Sequence, residues 1–114
     1  MGYGSAVGIT LQYFDGCPNW EVTARRLAEL GVPVALQRIE TLEEAVQHGF
    51  RGSPTVLVNG ADPFLDPDAP IGLGCRIYRG PAGPSGAPSV EELRDVIDAA
   101  GEESSTKPTA RSFR

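Results

Sequence analysis

The chain has 114 residues, which is enough for one domain and too few for two. Its formal net charge is -5 and Lys107 is its only lysine. Such a surface repels phosphate backbones, so we expect no nucleic-acid partner.

No apolar run approaches the length of a membrane span, so no membrane partner is expected either. Residues 1–6 carry no positive charge and lead into a strand-like run, unlike a signal peptide, and the expected location is therefore the cytoplasm. A reducing compartment and only two cysteines argue against a purely structural disulfide. A catalytic or transient pair stays open.

The first half of the chain predicts a βαβ unit. Residues 7–14 are rich in β-branched and aromatic side chains, and as a strand they place Val7, Ile9, Leu11 and Tyr13 on one face. A helix is predicted after this strand, with Gly31 as its stop, and residues 34–39 predict a second strand. Such a unit is parallel and right-handed.

Two capping boxes predict the starts of the other helices. Thr41 with Glu44 opens a short helix that Gly49 ends, and Ser89 with Glu92 opens a helix that ends at Gly101. Between them lie two predicted strands and two predicted loops: strands at 55–58 and 75–78, loops at 61–73 and 79–88.

The predicted fold class is α/β, with the element order βαβαββα. An Asn59-Gly60 turn and the long loop join the last two strands, most simply as an antiparallel hairpin. This gives a four-stranded mixed sheet with helices on both faces. The domain covers residues 7–100, preceded by a flexible N-terminus at 1–6 and followed by a disordered tail at 101–114.

Cys17 is the strongest candidate for a chemically active residue. It lies at a strand-to-helix turn and is followed by Pro18, which suits the first turn of a helix. Free amide groups and the positive end of the helix dipole stabilise a thiolate there. The alternative is a small apolar residue without chemistry.

Two motifs in this element order resemble the thioredoxin fold, over residues 7–100. Residues 13–20 (Tyr-Phe-Asp-Gly-Cys-Pro-Asn-Trp) stand where that family has its Cys-x-x-Cys turn. Residues 52–60 (Gly-Ser-Pro-Thr-Val-Leu-Val-Asn-Gly) look like its cis-proline strand. The resemblance implies a cis Ser53–Pro54 bond beside Cys17, with the backbone of Ser53 facing a bound peptide.

The sequence also departs from the family pattern. Trp20 replaces the second cysteine, which an ordinary reductase of this family needs to release its mixed disulfide, and Leu11 replaces the family's buried acid. By this resemblance Pro18, Trp20, Ser53 and Pro54 would line the substrate groove. Trp20 has the equally weighted alternative of a packed helix residue.

Cys75 has two interpretations. It is either a resolving thiol brought to Cys17 by the 61–73 loop, or a half-buried strand residue. Pairing requires Cα atoms within about 7 Å, which the sequence does not establish. If Cys75 and Arg76 both face solvent, Arg76 favours the Cys75 thiolate.

Metal binding and histidine catalysis are less favoured. His48 is the only histidine, in the last turn of a short helix, and a zinc site within the chain lacks ligands. The acidic segment 62–68 lacks the spacing of a calcium loop and is interpreted as a solvated loop or lid.

The sequence therefore predicts a thiol–disulfide redox protein that uses Cys17, with Cys75 or an external thiol to resolve the mixed disulfide, and that needs no cofactor. Its partner is a protein or small molecule bearing a thiol or disulfide. One alternative is a non-enzymatic module that binds a peptide at Ser53-Pro54 by strand addition. Another is a carrier that holds mercury or copper between two thiolates.

Overall fold

The computed structural model describes residues 7–81 and 83–110, with only the backbone for 102–110. Residues 1–6, predicted to be flexible, and the last four residues of the predicted tail lie outside the described residues. No helix in the described part is long and apolar enough to cross a membrane. The elements in chain order are β1 (Ile9–Tyr13), α1 (Asn19–Glu29), β2 (Val34–Arg38), α2 (Leu42–His48), β3 (Thr55–Val58), β4 (Tyr78–Gly80), β5 (Gly83–Ser85) and α3 (Val90–Ala110).

The main sheet has three strands in the order β2-β1-β3. β1 pairs in parallel with β2, as predicted, and antiparallel with β3. Leu11 in the central strand faces Leu36 on one side and Val56 on the other. Both edges of β1 are thus hydrogen-bonded to a neighbouring strand, and its Ile9 and Leu11 side chains are buried.

The principal core lies on one face of this sheet. Ile9 and Leu11 of β1 and Val56 and Val58 of β3 share this face, and the helices α1 and α3 pack on it. Each helix contributes a fully buried leucine, Leu27 from α1 and Leu93 from α3. Full burial of one such side chain stabilises the fold by about 1.5–3 kcal/mol.

The predicted four-stranded sheet with helices on both faces is wrong. The structure is α/β, but it combines the three-stranded sheet with a separate two-stranded sheet of β4 and β5. α1 and α3 share one face, whereas α2 packs on a small second core of Ile39, Ala45 and Phe50.

The predicted fourth strand does not form, because contacts distant in sequence place the segment elsewhere. Of residues 75–78, only Cys75 pairs with the β3 side of the molecule, through one parallel bridge to Ser53, and not as an antiparallel hairpin. The next side chain, Arg76, is buried and holds the segment toward the 61–73 loop. Tyr78–Gly80 therefore pairs with Gly83–Ser85, inside the stretch predicted to be loop.

Both predicted caps form, and the box at Ser89 is complete, whereas at Thr41 the return bond goes to the preceding residue. The Glu44 N–H donates to Thr41 Oγ1 at 3.1 Å, and the Glu44 carboxylate accepts from the N–H of Glu40 at 2.7 Å. At α3 the exchange is reciprocal: the Glu92 N–H donates to Ser89 Oγ at 3.0 Å and the Ser89 N–H to Glu92 Oε1 at 2.9 Å. The bonds to Thr41 Oγ1 and Ser89 Oγ satisfy amides that the first helical turn leaves unpaired.

Two of the three predicted helix stops are confirmed. Gly31 and Gly49 follow the last turns of α1 and α2 in the left-handed region, with φ of 74° and 63°. The third is wrong, because α3 continues through Gly101 to Ala110.

Candidate functional site

Cys17 and Cys75 form a disulfide, with Cα atoms 5.6 Å apart. Cys17 lies in the turn between β1 and α1, where its N–H donates to the carbonyl oxygen of Phe14 at 3.0 Å. Pro18 follows as the residue that caps α1, and it is exposed. The structure thus brings together the two cysteines that lie 58 positions apart in the sequence.

The two halves of the disulfide differ in solvent exposure. Cys17 is 0% exposed, whereas Cys75 is exposed. Cys17 Sγ lies 3.4 Å from the carbonyl oxygen of Ser53, to which a reduced Cys17 thiol can donate. A reagent in solvent therefore meets Cys75 and not Cys17.

The Ser53–Pro54 bond is cis, as predicted. The Ser53 N–H donates to the carbonyl of Gly74 at 2.7 Å, and its carbonyl accepts from the N–H of Arg76 at 2.8 Å. The backbone groups that the resemblance assigns to a bound peptide are thus paired with residues 74–76 of the same chain. The buried Ser53 hydroxyl has no hydrogen-bond partner within the described residues.

The close packing of this segment needs a glycine at position 52. Gly52 has a φ of 117°, and a Cβ there would lie 3.1 Å from the Cβ of Arg76. A larger residue would meet both the unfavourable backbone angle and the neighbouring chain.

A buried cation fixes the segment that carries Cys75. Arg76 is 6% exposed, and its Nη1 donates to Asp62 Oδ2 at 2.7 Å and to Thr55 Oγ1 at 3.2 Å. Its Nη2 donates to the carbonyl of Phe64 at 2.5 Å, and the guanidinium lies 4.7 Å from the ring centroid of Tyr78. Arg76 does not face solvent beside Cys75, contrary to the arrangement considered from the sequence.

This buried cluster was not predicted from the sequence. Asp62 was placed in a solvated acidic loop, yet it pairs with Arg76 at a side-chain exposure of 14%. One signal was available in the sequence. Cys75 and Arg76 are adjacent in a strand-like segment, and successive side chains of a strand point to opposite faces, so one of the two had to point inward.

The remaining predicted site residues are dispersed. The Trp20 ring stacks on Tyr13 at 4.2 Å between centroids and packs partly against the principal core, as the packed alternative expects. His48 is exposed at the end of α2. Among the described residues no group of three or more histidine, cysteine or acidic side chains could hold a metal ion.

Tyr78 connects the buried cluster to Pro54. Its hydroxyl donates to the Pro54 carbonyl. Burial raises the pKa of the Tyr78 phenol well above its ordinary value of 10.0, while the Arg76 charge lowers this pKa and the Asp62 charge raises it further.

We expect Tyr78→Phe to lower the free energy of unfolding by about 1–3 kcal/mol, because the buried Pro54 carbonyl loses its donor. The folded-state pKa of Tyr78 is raised, so the stability of the native protein falls as pH rises above the unfolded value of about 10, and Tyr78→Phe should flatten that fall. Urea unfolding between about pH 7 and 11 measures both effects. Tyr13→Phe is the matched control, and equal losses in the two variants would contradict the expected role.

No protein-family model matches the sequence, and no curated protein matches it. A disulfide between a buried cysteine that precedes a helix and a cysteine at an exposed position can exchange with an external thiol.

Proposed function

We propose that this protein is a thiol–disulfide redox protein whose redox pair is Cys17 and Cys75. The observation that carries the proposal is the disulfide between the residue that precedes the α1 cap and an exposed residue of a distant segment. The Ser53-Pro54 motif beside Cys17 further supports a resemblance to thioredoxin-like proteins.

The two cysteines have different tasks in this proposal. On reduction, Cys17 is the leaving group at the start of α1, where the positive end of the helix dipole favours the departing thiolate, and its protonated thiol can then donate to the Ser53 carbonyl. Cys75 supplies the second thiol, which the residue at the usual family position, Trp20, does not provide. The pair can then cycle between disulfide and dithiol within one chain.

Peptide binding by strand addition at Ser53-Pro54 is less well supported. That mode needs free backbone groups on the edge residue. Both the N–H and the carbonyl of Ser53 are bonded to Gly74 and Arg76. A peptide would first have to displace the chain's own segment.

A soft-metal carrier is the second candidate. The Cα separation of 5.6 Å places two thiols next to each other once the disulfide is reduced, which suits a two-coordinate copper(I) or mercury(II) ion.

The redox proposal predicts that both cysteines are needed for catalysis of disulfide reduction in a protein substrate such as insulin, with dithiothreitol as the electron source. Cys17→Ser and Cys75→Ser should each lower the catalysed rate at least about tenfold, because neither can return to the disulfide. Arg79→Gln, at an exposed position of β4, is the control and should keep the rate.

Activity that survives Cys17→Ser would overturn the redox proposal. A tight one-to-one copper(I) complex of the reduced protein, together with no catalysis, would instead favour the carrier.

A further inference from the structure

The exposed position of Cys75 determines where an external thiol can react. A thiolate must reach the sulfur that it attacks, and Cys17 is 0% exposed. We infer that the reductant of this disulfide is a small thiol bearing a carboxylate, which attacks Cys75 while Arg51 binds its carboxylate. This inference rests on the proposed redox function and deepens it, because it reverses the expected order in which Cys17 meets the partner.

A small groove adjoins the exposed cysteine. It has a volume of about 280 Å³ and is lined by Arg51, Gly52 and residues 69–75. This volume is below the range of about 300–1,000 Å³ for drug-sized ligands, so it suits a small thiol. Gly72 and Gly74 leave open space at the positions where a side chain would begin.

Arg51 gives the groove its charge preference. Its Nη1 donates to the carbonyl oxygens of Pro67 and Ala69, which hold the guanidinium without neutralising it. Within the described residues Arg51 has no carboxylate partner, unlike Arg38 and Arg76. Arginine is well suited to carboxylates, because its planar fork donates to both oxygens.

The net negative charge of the chain repels an anionic thiol, but this repulsion acts over longer distances than the attraction of Arg51. The chain carries -5, whereas charges beyond about 8 Å are largely screened at physiological ionic strength. A carboxylate in the groove lies next to Arg51, so the local cation decides the preference.

The exchange balances with two thiol molecules. The first thiolate attacks Cys75 Sγ, so a new bond forms from its sulfur to Cys75 and the Cys75–Cys17 bond breaks. The electron pair leaves on Cys17 as a thiolate, stabilised at the start of α1. A second thiolate attacks the sulfur of the bound thiol and releases Cys75 as a thiolate. Two thiols become one disulfide, and the protein disulfide becomes two thiols.

The first test locates the bound thiol. The oxidised protein is mixed with 3-mercaptopropionate, quenched with acid, alkylated and mapped by mass spectrometry. We expect the mixed disulfide on Cys75 and the alkyl group on Cys17, with a preference of at least about tenfold that follows from access. The reverse assignment would overturn this inference alone, whereas a native disulfide that no thiol reduces would overturn the redox proposal itself.

The second test isolates the charge preference. The rate at which 3-mercaptopropionate reduces the disulfide is divided by the rate with neutral 2-mercaptoethanol. Any loosening of the loop changes both rates alike and therefore cancels in the ratio. Arg51→Gln should lower this ratio about two- to fivefold, as expected for one partly exposed ion pair, and Arg51→Lys should keep most of it.

Arg79→Gln is the matched control, because it removes an exposed arginine that does not line the groove. It should leave the ratio unchanged. An unchanged ratio in Arg51→Gln would overturn the role of Arg51.

Discussion

Reduction of the Cys17–Cys75 disulfide is expected to lower the free energy of unfolding by about 4 kcal/mol. The bond joins residues 58 positions apart, and the chain-entropy relation for a loop of that size gives this value. The loss arises in the unfolded chain, which gains freedom when the bond is broken. Urea unfolding followed by circular dichroism, with and without dithiothreitol, measures the difference.

The double variant Cys17→Ser, Cys75→Ser is the control for this prediction. It should unfold like the reduced native protein and should not respond to dithiothreitol. A loss below about 1 kcal/mol would mean that the unfolded chain gains little freedom when the bond breaks.

The second large effect is expected from Arg76. Arg76→Met should destabilise the fold by about 3–5 kcal/mol, because it leaves the Asp62 carboxylate without its partner in a poorly solvated position. The Phe64 carbonyl also loses the donor at Nη2. Chemical unfolding of the oxidised variant gives the loss, and the intact disulfide keeps the unfolded chain comparable with that of the native protein.

Two further variants separate the effect of leaving a buried charge unpaired from the effect of removing an arginine in general. Arg38→Met breaks ion pairs with Asp15 and Glu40 at an arginine that is half exposed, so its effect should be small. Combining Arg76→Met with Asp62→Leu removes both charges and should recover most of the loss. If Arg76→Met were no more destabilising than Arg38→Met, the cluster would not hold the segment.

The sequence was most informative where a signal is local. The capping boxes at Thr41 and Ser89 predicted the starts of two helices, since both partners of each box lie within one turn. The order of the first five elements followed from periodicity and glycine stops in the same way. The helix end predicted at Gly101 was wrong, because the residues beyond it continue the helix to Ala110.

The sheet could not be predicted to the same extent. A strand-like segment at 75–78 has no local feature that says which edge it joins. Its position depends on the pairing of Arg76 with Asp62 across 14 positions. Charged side chains are rarely buried, so Asp62 was expected to be solvated like the exposed residues 65–68, and at this one position the prediction is wrong.

The candidate site, too, could be predicted only where its signals are local. Cys17 was found from its turn and the helix that follows it, which are local features. Its partner was left open, because only the folded chain sets the distance to Cys75. Which sulfur faces solvent depends on the packing around Ser53.

The inward and outward alternation of residues 75–78 limits where the chain can change length. Cys75 and Ile77 are exposed, and Arg76 and Tyr78 are buried. An added residue among the exposed positions 65–68 alters only loop closure, for which even a doubling of length costs about 0.6 kcal/mol. One residue added between Cys75 and Arg76 would turn the following side chains over, bringing the guanidinium to the surface and leaving Asp62 buried alone. We therefore expect insertions to be tolerated at residues 65–68, whereas Cys75 and Arg76 must stay adjacent.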